Sequence, residues 1–316
     1  MKDSWKAAAL VFAGAILSTA TAPLFPERHR VLIASLVTIA ALLLAFWASG
    51  LSSRCFEYLL IRSRQIENFA PRIMILNDLG WDPADANRTA WADRSPDVWK
   101  ELLANAAQQR HGKVTVRLRD TAAPFAWYSV VVNPYGGVYP ERDVAKFATL
   151  DKILEYVRHG GIFVNVADVP SFYAYDPALR RRLTVAASVF TGQGFAAVFN
   201  LAPLVQRLAL NVRPMNSDGR HANITPALHG DYRELHPLPP KIALDRVCEV
   251  ESNVEPVLAP LKMGDREYGP IVVVNYGRGR FVFSFLFLDQ LSRSENEEVP
   301  KLLADLVTEL LARRRS

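Results

Sequence analysis

The composition describes a chain that can bury a sizeable core. Its 316 residues are 50% hydrophobic and 22% charged, which excludes an intrinsically disordered protein. Only two cysteines occur, Cys55 and Cys248, which excludes a disulfide framework and a multi-cysteine zinc site. The net charge of +5 permits an anionic partner but identifies no reaction.

Two uncharged segments precede the rest of the chain. Residues 7–26 and 31–53 contain no Asp, Glu, Lys or Arg, and about 20 apolar residues suffice to cross the hydrocarbon core of a bilayer. We therefore predict a two-helix transmembrane anchor over residues 1–53 and a juxtamembrane linker over residues 54–70. A cleavable signal peptide is the alternative interpretation of the first segment.

Basic residues around these segments determine the predicted orientation. Five flank the pair and two lie in the connecting loop, namely Lys2, Lys6, Arg54, Arg62 and Arg64 against Arg28 and Arg30. The positive-inside rule then places both termini in the cytoplasm. The prediction is an inner (cytoplasmic) membrane protein with two spans, which contacts the lipid bilayer through residues 7–53. Small residues in the first segment also allow a protein partner in a membrane complex.

Farther along, short apolar runs alternate with helical patterns. The predicted strands are residues 72–76, 113–118, 128–132 and 162–166, and the predicted helices are residues 95–110 and 143–158. Continuous apolar strands separated by helices are typical of a parallel sheet covered on both faces. We therefore predict that residues 71–316 form one α/β domain with a mostly parallel sheet and helices on both faces.

The C-terminal third predicts a hairpin and a closing helix. Residues 254–263 and 269–274 are predicted strands, and the turn Tyr276-Gly277-Arg278-Gly279 leads into a further strand, residues 280–288. Residues 297–313 have leucines at helical spacing and predict an amphipathic helix. Residues 178–244 show no clear pattern apart from two short helical stretches.

Several of these segments occur in a familiar order. Strand 128–132, the loop Asn133-Pro134-Tyr135-Gly136-Gly137 and a helix ending in His159-Gly160-Gly161 resemble a class I glutamine amidotransferase-like domain. His221-Ala222-Asn223-Ile224 and Tyr276-Gly277-Arg278-Gly279-Arg280 resemble the ThuA-like branch of that group. The resemblance covers roughly residues 70–312 and implies a flavodoxin-like layered fold.

The sequence departs from that group at the catalytic positions. Amidotransferases of this class carry a cysteine after the strand that ends here at Val166, and a histidine after a late strand. Here Ala167 and Asp168 follow Val166, and the late strand ends in Leu288 and Asp289. A thiolate nucleophile needs a base within hydrogen-bond reach. We therefore predict a pseudoenzyme that does not hydrolyse glutamine by this mechanism.

A candidate site follows from the strand ends. Loops 77–81, 133–141 and 167–176 should gather at one edge of the sheet, because parallel strands place their carboxyl ends together. Asp78 and Asp168 are the candidate catalytic carboxylates, although each also suits the cap of a turn. The predicted ligand-binding residues combine backbone N–H donors, polar side chains and aromatic rings, and are Asn133, Tyr135, Gly136, Gly137, Asp168, Tyr173 and Tyr175. Simple loop packing is the alternative interpretation.

Other ligand classes find little support in the sequence. His221, His229 and His236 lack the tight spacing of metal ligands, so no metal site and no cofactor is predicted. Arginine-rich stretches occur without a nucleic-acid-binding motif, so no nucleic acid partner is expected.

Two functions of different classes remain open. The leading hypothesis is a non-catalytic binding or scaffold module that holds a ligand or a protein partner at the inner face of the membrane. The alternative is a hydrolase that acts on a polar or carbohydrate-like substrate through Asp168 and Asp78. Convergent carboxylates in a concave pocket would favour the enzyme, and an aromatic, weakly charged patch would favour the scaffold.

Overall fold

The computed structural model describes nine stretches of the chain, which are residues 71–79, 96–141, 146–176, 181–183, 199–215, 222–238, 241–244, 246–286 and 298–313. The chain divides into two compact units, Met1–Ser63 and Arg64–Ser316, and every described residue belongs to the second. The predicted anchor, residues 1–53, and the predicted linker, residues 54–70, lie outside the described residues.

The described strands are β1 Arg72–Leu76, β2 Thr115–Arg119, β3 Val130–Asn133, β4 Val138–Pro140, β5 Ile162–Asn165, β6 Tyr173–Asp176, β7 Arg181–Leu183, β8 Val212–Pro214, β9 Ala222–Ile224, β10 Ile242–Leu244, β11 Arg246–Glu249, β12 Val254–Pro256, β13 Leu261–Met263, β14 Arg266–Gly269, β15 Ile271–Tyr276 and β16 Gly279–Ser284. The described α-helices are α1 Pro96–His111, α2 Ala148–Arg158, α3 Pro203–Arg207 and α4 Glu298–Arg313, and single 3₁₀ turns lie at Phe125–Trp127 and Gly230–Tyr232.

None of the described helices could span a membrane, because none is both long and apolar enough. The longest two, α1 and α4, have 16 residues each, which corresponds to roughly 24 Å at the α-helical rise. This finding gives no support to the predicted two-span inner-membrane protein, and that prediction is corrected. The segments on which it depended, residues 7–26 and 31–53, lie outside the described stretches.

A seven-stranded sheet forms the centre of the described fold, in the order β12-β15-β16-β5-β3-β1-β2. The five strands from β16 to β2 are parallel to one another. β15 and β12 extend the sheet in antiparallel pairing. Strands β1, β3 and β5 were predicted correctly, because their continuous apolar runs are buried on both faces of the sheet.

The prediction of a mostly parallel, flavodoxin-like sheet is wrong. Across the four described sheets the antiparallel pairings outnumber the parallel ones, and the central sheet is itself mixed. Short connections such as Gly264–Asp265 and Gly277–Arg278 join consecutive strands directly, and only antiparallel neighbours can be joined in this way. The residues from 242 to 284 therefore add hairpins where a parallel fold would need helical crossovers.

Two apolar layers cover the faces of the central sheet. Alternate residues of β3 face opposite layers, with Val131 in one and Val130 and Val132 in the other. Helix α2 packs in the first layer and helices α1 and α4 pack in the second. The leucines of α4 that recur at helical spacing are nearly inaccessible to solvent, and they are Leu302, Leu303, Leu306 and Leu310.

The β15–β16 turn packs against the end of helix α2. The Arg278 N–H donates to the Arg158 carbonyl at 3.0 Å. A Cβ on Gly279 would lie 2.2 Å from the carbonyl oxygens of Val157 and Gly161, so only glycine fits there. This turn therefore aligns β16 beside β5, at the edge of the sheet where both strands begin.

Candidate functional site

Two asparagines organise the carboxyl ends of β3 and β5. Asn133 and Asn165 are register partners and are completely buried. The Asn133 Nδ2 group donates to the Asn165 Oδ1 atom and to the Gly136 carbonyl, both at 3.0 Å. The Tyr139 hydroxyl donates to Asn165 Oδ1 at 3.0 Å, and Asn165 Nδ2 donates to the Ala167 carbonyl at 2.6 Å. These amides therefore shape the two strand-end loops.

The predicted ligand-binding loops pack against each other. Tyr135, Gly136, Gly137 and Tyr175 are buried, and Tyr173 is partly exposed. The Tyr173 N–H donates to the Gly137 carbonyl at 2.9 Å. A Cβ on Gly137 would lie 2.8 Å from the Val169 carbonyl oxygen. The structure thus brings the predicted residues together at one edge, but as a packed junction of loops.

Asp168 is held in a nearly buried ion pair at that edge. Its carboxylate pairs with the Arg246 guanidinium, and the two side chains are 17% and 15% exposed. Asp168 has φ +62°, and its Oδ1 atom accepts the Val169 N–H at 2.8 Å. Arg246 also lies 4.7 Å from the centre of the Phe199 ring, and burial lowers the pKa of Arg246 to about 10. The ion pair joins the edge of the central sheet to β11.

Asp78, the other predicted carboxylate, has a different partner. Its Oδ1 atom accepts the Thr121 N–H at 2.9 Å and the Thr121 hydroxyl at 2.7 Å. Its Oδ2 atom is buried and has no hydrogen-bond partner among the described residues. Burial raises the pKa of the Asp78 carboxyl group. No hydrogen bond or ion pair between described residues joins Asp78 to Asp168. Asp78 follows β1 and Asp168 follows β5, and β3 lies between these two strands.

Histidines and cysteine form no metal centre in the described stretches, where no cluster of three or more ligating side chains occurs. His236 contacts the Glu298 carboxylate, which holds the pKa of Glu298 below its ordinary value. Burial raises the pKa of the Cys248 thiol, so this cysteine is poorly suited to act as a nucleophile. His221 and Cys55 lie outside the described residues.

An open pocket lies on a second sheet, where sequence reasoning identified no site. The four-stranded sheet β13-β14-β11-β8 is antiparallel. The pocket there has a volume of about 400 Å³ and is lined by Asn211, Arg213, Met263, Asp265, Arg266 and Tyr268. Its strands have three or four residues each, too few for a periodic pattern. The turn Met263-Gly264-Asp265-Arg266, with Gly264 at φ +65°, was the available signal.

The polar side chains of the pocket are held by specific contacts. The Arg213 guanidinium lies 5.3 Å from the centre of the Tyr268 ring and donates to the Tyr268 hydroxyl at 3.3 Å. Arg266 Nη1 donates to both carboxylate oxygens of Glu249, at 2.9 and 2.8 Å. Asn211 Nδ2 donates to the same carboxylate at 2.6 Å. Glu249 raises the pKa of Arg266, so this arginine is charged at any physiological pH.

No protein-family model and no curated protein matches the sequence. Solved structures with some similarity include the β-galactosidase from Bacillus circulans sp. alkalophilus, with 14% identity and a TM-score of 0.39 over 84% of this chain and 34% of that one. A β-galactosidase from Halorubrum lacusprofundi has 16% identity and a TM-score of 0.41, over 78% of this chain and 30% of that one. The exo-β-1,4-mannosidase Op5Man5 from Opitutaceae bacterium strain TAV5 has 8% identity and a TM-score of 0.35, over 86% of this chain and 38% of that one. The chain spans about a third of the length of these proteins.

These comparisons correct the predicted resemblance to amidotransferase-like and ThuA-like domains, because the neighbours found are glycosidases. The residues that suggested the resemblance have local structural roles: Gly160 has φ +105° at the end of α2, and Gly277 and Gly279 form a hairpin turn.

Proposed function

We propose that the chain binds a neutral, polyhydroxylated, carbohydrate-like ligand in the pocket on the antiparallel sheet. The observation that carries this proposal is the ring of planar polar side chains around a cavity of about 400 Å³, contributed by Asn211, Arg213, Asp265 and Arg266. This volume lies within the range of roughly 300–1,000 Å³ that is usual for small-molecule sites.

The charges at the pocket balance. Arg213 and Asp265 are exposed and carry opposite charges, and the charge of Arg266 is offset by the adjoining Glu249 carboxylate. A balanced pocket offers no net attraction to a strongly charged ligand. Guanidinium and amide N–H groups donate to hydroxyl oxygens, and a carboxylate accepts from hydroxyl hydrogens. The mixture therefore suits a ligand with many hydroxyl groups.

Calorimetric titration with galactose, mannose, lactose and mannobiose tests this proposal. We expect saturable binding of at least one of these sugars, with a Kd in the range of about 10 μM to 1 mM. Arg213→Ala should weaken that binding roughly tenfold or more, because hydrogen bonds from charged donors contribute about 1.5–3 kcal/mol.

Arg233→Ala is the matched control for this titration. Arg233 is also exposed and carries the same charge, but it does not line the pocket. The control should bind with wild-type affinity. Absence of binding by the wild-type protein, or equal losses in the two variants, would contradict the proposal.

Hydrolysis at the strand edge is a second candidate function, favoured by the state of Asp78. A carboxyl group with a raised pKa and a buried, unpartnered oxygen is suited to donate a proton to a leaving group. Glycoside hydrolysis also needs a second carboxylate within about 5–10 Å. The negative charge of Asp120 contributes to the raised pKa of Asp78, so Asp120 is the candidate for that role.

Asp78→Asn tests the second candidate with nitrophenyl galactoside and mannoside as substrates. If Asp78 is the proton donor, the substitution should lower the rate of hydrolysis by roughly two to four orders of magnitude. Asp97→Asn changes an exposed carboxylate on α1 and should leave the rate unchanged. A wild-type protein that hydrolyses neither substrate, or an Asp78→Asn variant with full activity, would exclude this candidate.

A further inference from the structure

Glu249 lies behind the pocket, between two of its polar residues. It belongs to β11, whose neighbours in the sheet are β8 and β14. Its N–H donates to the Asn211 carbonyl at 2.9 Å, and Tyr268 is its register partner on the other side. The residue therefore sits in the same cross-strand row as two residues that line the pocket.

The Glu249 carboxylate is almost fully buried, and both of its oxygens accept hydrogen bonds. Its side chain is 11% exposed, whereas that of Arg266 is 62% exposed. It accepts one hydrogen bond from Asn211 and two from Arg266, all between 2.6 and 2.9 Å. A carboxylate that accepts charge-assisted hydrogen bonds from two side chains restricts the rotamers of both donors.

The remaining donors of these two residues are left for a ligand. Arg266 donates to Glu249 through Nη1, and its Nε and Nη2 groups donate to no other side chain in the described part of the chain. The orientation of the Asn211 amide is fixed from both ends, because its Oδ1 atom accepts a hydrogen bond from Asn200 Nδ2 at 3.2 Å. One N–H of the Asn211 amide is still unused by the contact with Glu249.

We infer that Glu249 is a positioning residue of the pocket, which orients Arg266 and Asn211 toward the carbohydrate-like ligand. The inference rests on the proposed function. Ordering a long arginine side chain before the ligand arrives removes part of the entropy cost of binding. Glu249 thus increases affinity without touching the ligand.

The first arm of the test needs no ligand. In the full-length protein, the ¹⁵N NMR signals of Arg266 Nε–H and the Asn211 side-chain amide report whether these groups are ordered. Glu249→Gln should shift or broaden both signals, because the Gln amide would oppose one N–H of Arg266 with an N–H of its own. Unchanged signals would overturn the positioning role.

Glu255→Gln is the matched control for this arm. Glu255 also accepts hydrogen bonds from two side chains, the Tyr232 hydroxyl at 3.0 Å and Asn275 Nδ2 at 2.8 Å, and it does not line the pocket. This control should leave the Arg266 and Asn211 signals unchanged. If it shifts them equally, the effect is general destabilisation and the inference fails.

The second arm measures affinity for the sugar that the wild-type protein binds most tightly among galactose, mannose, lactose and mannobiose. Glu249→Gln should weaken binding about tenfold. In an Arg266→Ala background, Glu249→Gln should weaken sugar binding by a clearly smaller factor, because part of its effect acts through Arg266. If the losses of binding free energy caused by Glu249→Gln and Arg266→Ala simply add in the double variant, the inference is wrong.

The two arms separate the inference from the function on which it rests. If the wild-type protein binds none of the four sugars, the proposed function fails, and the NMR arm alone decides whether Glu249 orders the two side chains. If a sugar binds and Glu249→Gln binds it with wild-type affinity, the proposed function stands and the positioning role is wrong.

Discussion

At the scale of single residues, position in the sequence predicted where a side chain lies better than what it does. Asp168 follows a strand, as expected, and the structure shows its carboxylate in an ion pair with Arg246. Asn133 lies at the predicted edge, where its amide shapes the loop. Neither partner could be predicted, because Arg246 and Asn165 are distant in sequence and meet these residues only in the folded chain.

The Asp168–Arg246 pair gives a prediction about stability. Asp168→Asn leaves a mostly buried guanidinium without its countercharge, which should lower the free energy of unfolding by about 3 kcal/mol. Asp151→Asn removes a comparable pair with Arg207 whose side chains are 54% and 43% exposed, and it should cost less than about 1 kcal/mol. Urea denaturation of both variants provides the comparison. Equal stability of Asp168→Asn and the wild-type protein would show that the pair is not structural.

At the scale of elements, long or continuously apolar segments were predicted well. Strands β1, β3, β5, β15 and β16 and helices α1, α2 and α4 all lie within a few residues of their expected positions, because each buries a periodic or continuous apolar face in the core. The short strands β8, β11, β13 and β14 form the sheet that carries the pocket, and of these only β13 lies within a predicted strand, residues 254–263. Three or four residues cannot establish a period, and their pairing depends on tertiary contacts.

The β15–β16 turn gives a prediction at the same scale. Gly279→Ala would place a Cβ 2.2 Å from two backbone oxygens, so the turn and helix α2 must separate, and we expect a loss of about 3 kcal/mol in unfolding free energy. Gly264→Ala changes another hairpin turn, where no atom lies within 4 Å of the added Cβ, and should cost only about 1 kcal/mol of backbone strain. Thermal unfolding of the two variants measures the difference. A Gly279→Ala variant as stable as Gly264→Ala would contradict this packing.

At the scale of the whole molecule, two distinct polar regions carry the candidate chemistry. The edge of the central sheet holds Asp78 and the packed loops, and the antiparallel sheet holds the open pocket. Strand β11 contributes to both, through Arg246 at one end and Glu249 at the other. The sequence pattern predicted an α/β domain with a site at the strand ends. It did not predict the second sheet, because β11 pairs there with β8 and β14, which are distant from it in the sequence.

The most direct test of the ligand-binding proposal is a ¹⁵N NMR titration with the best-binding sugar among galactose, mannose, lactose and mannobiose. Binding in the pocket should cause saturable shift changes centred on the residues that line it, with loop 133–141 unaffected; the lining residues include Asn211, Arg213, Asp265, Arg266 and Tyr268. Shift changes centred on Asp78 or on loop 133–141, or no saturable change with any of the four sugars, would contradict it.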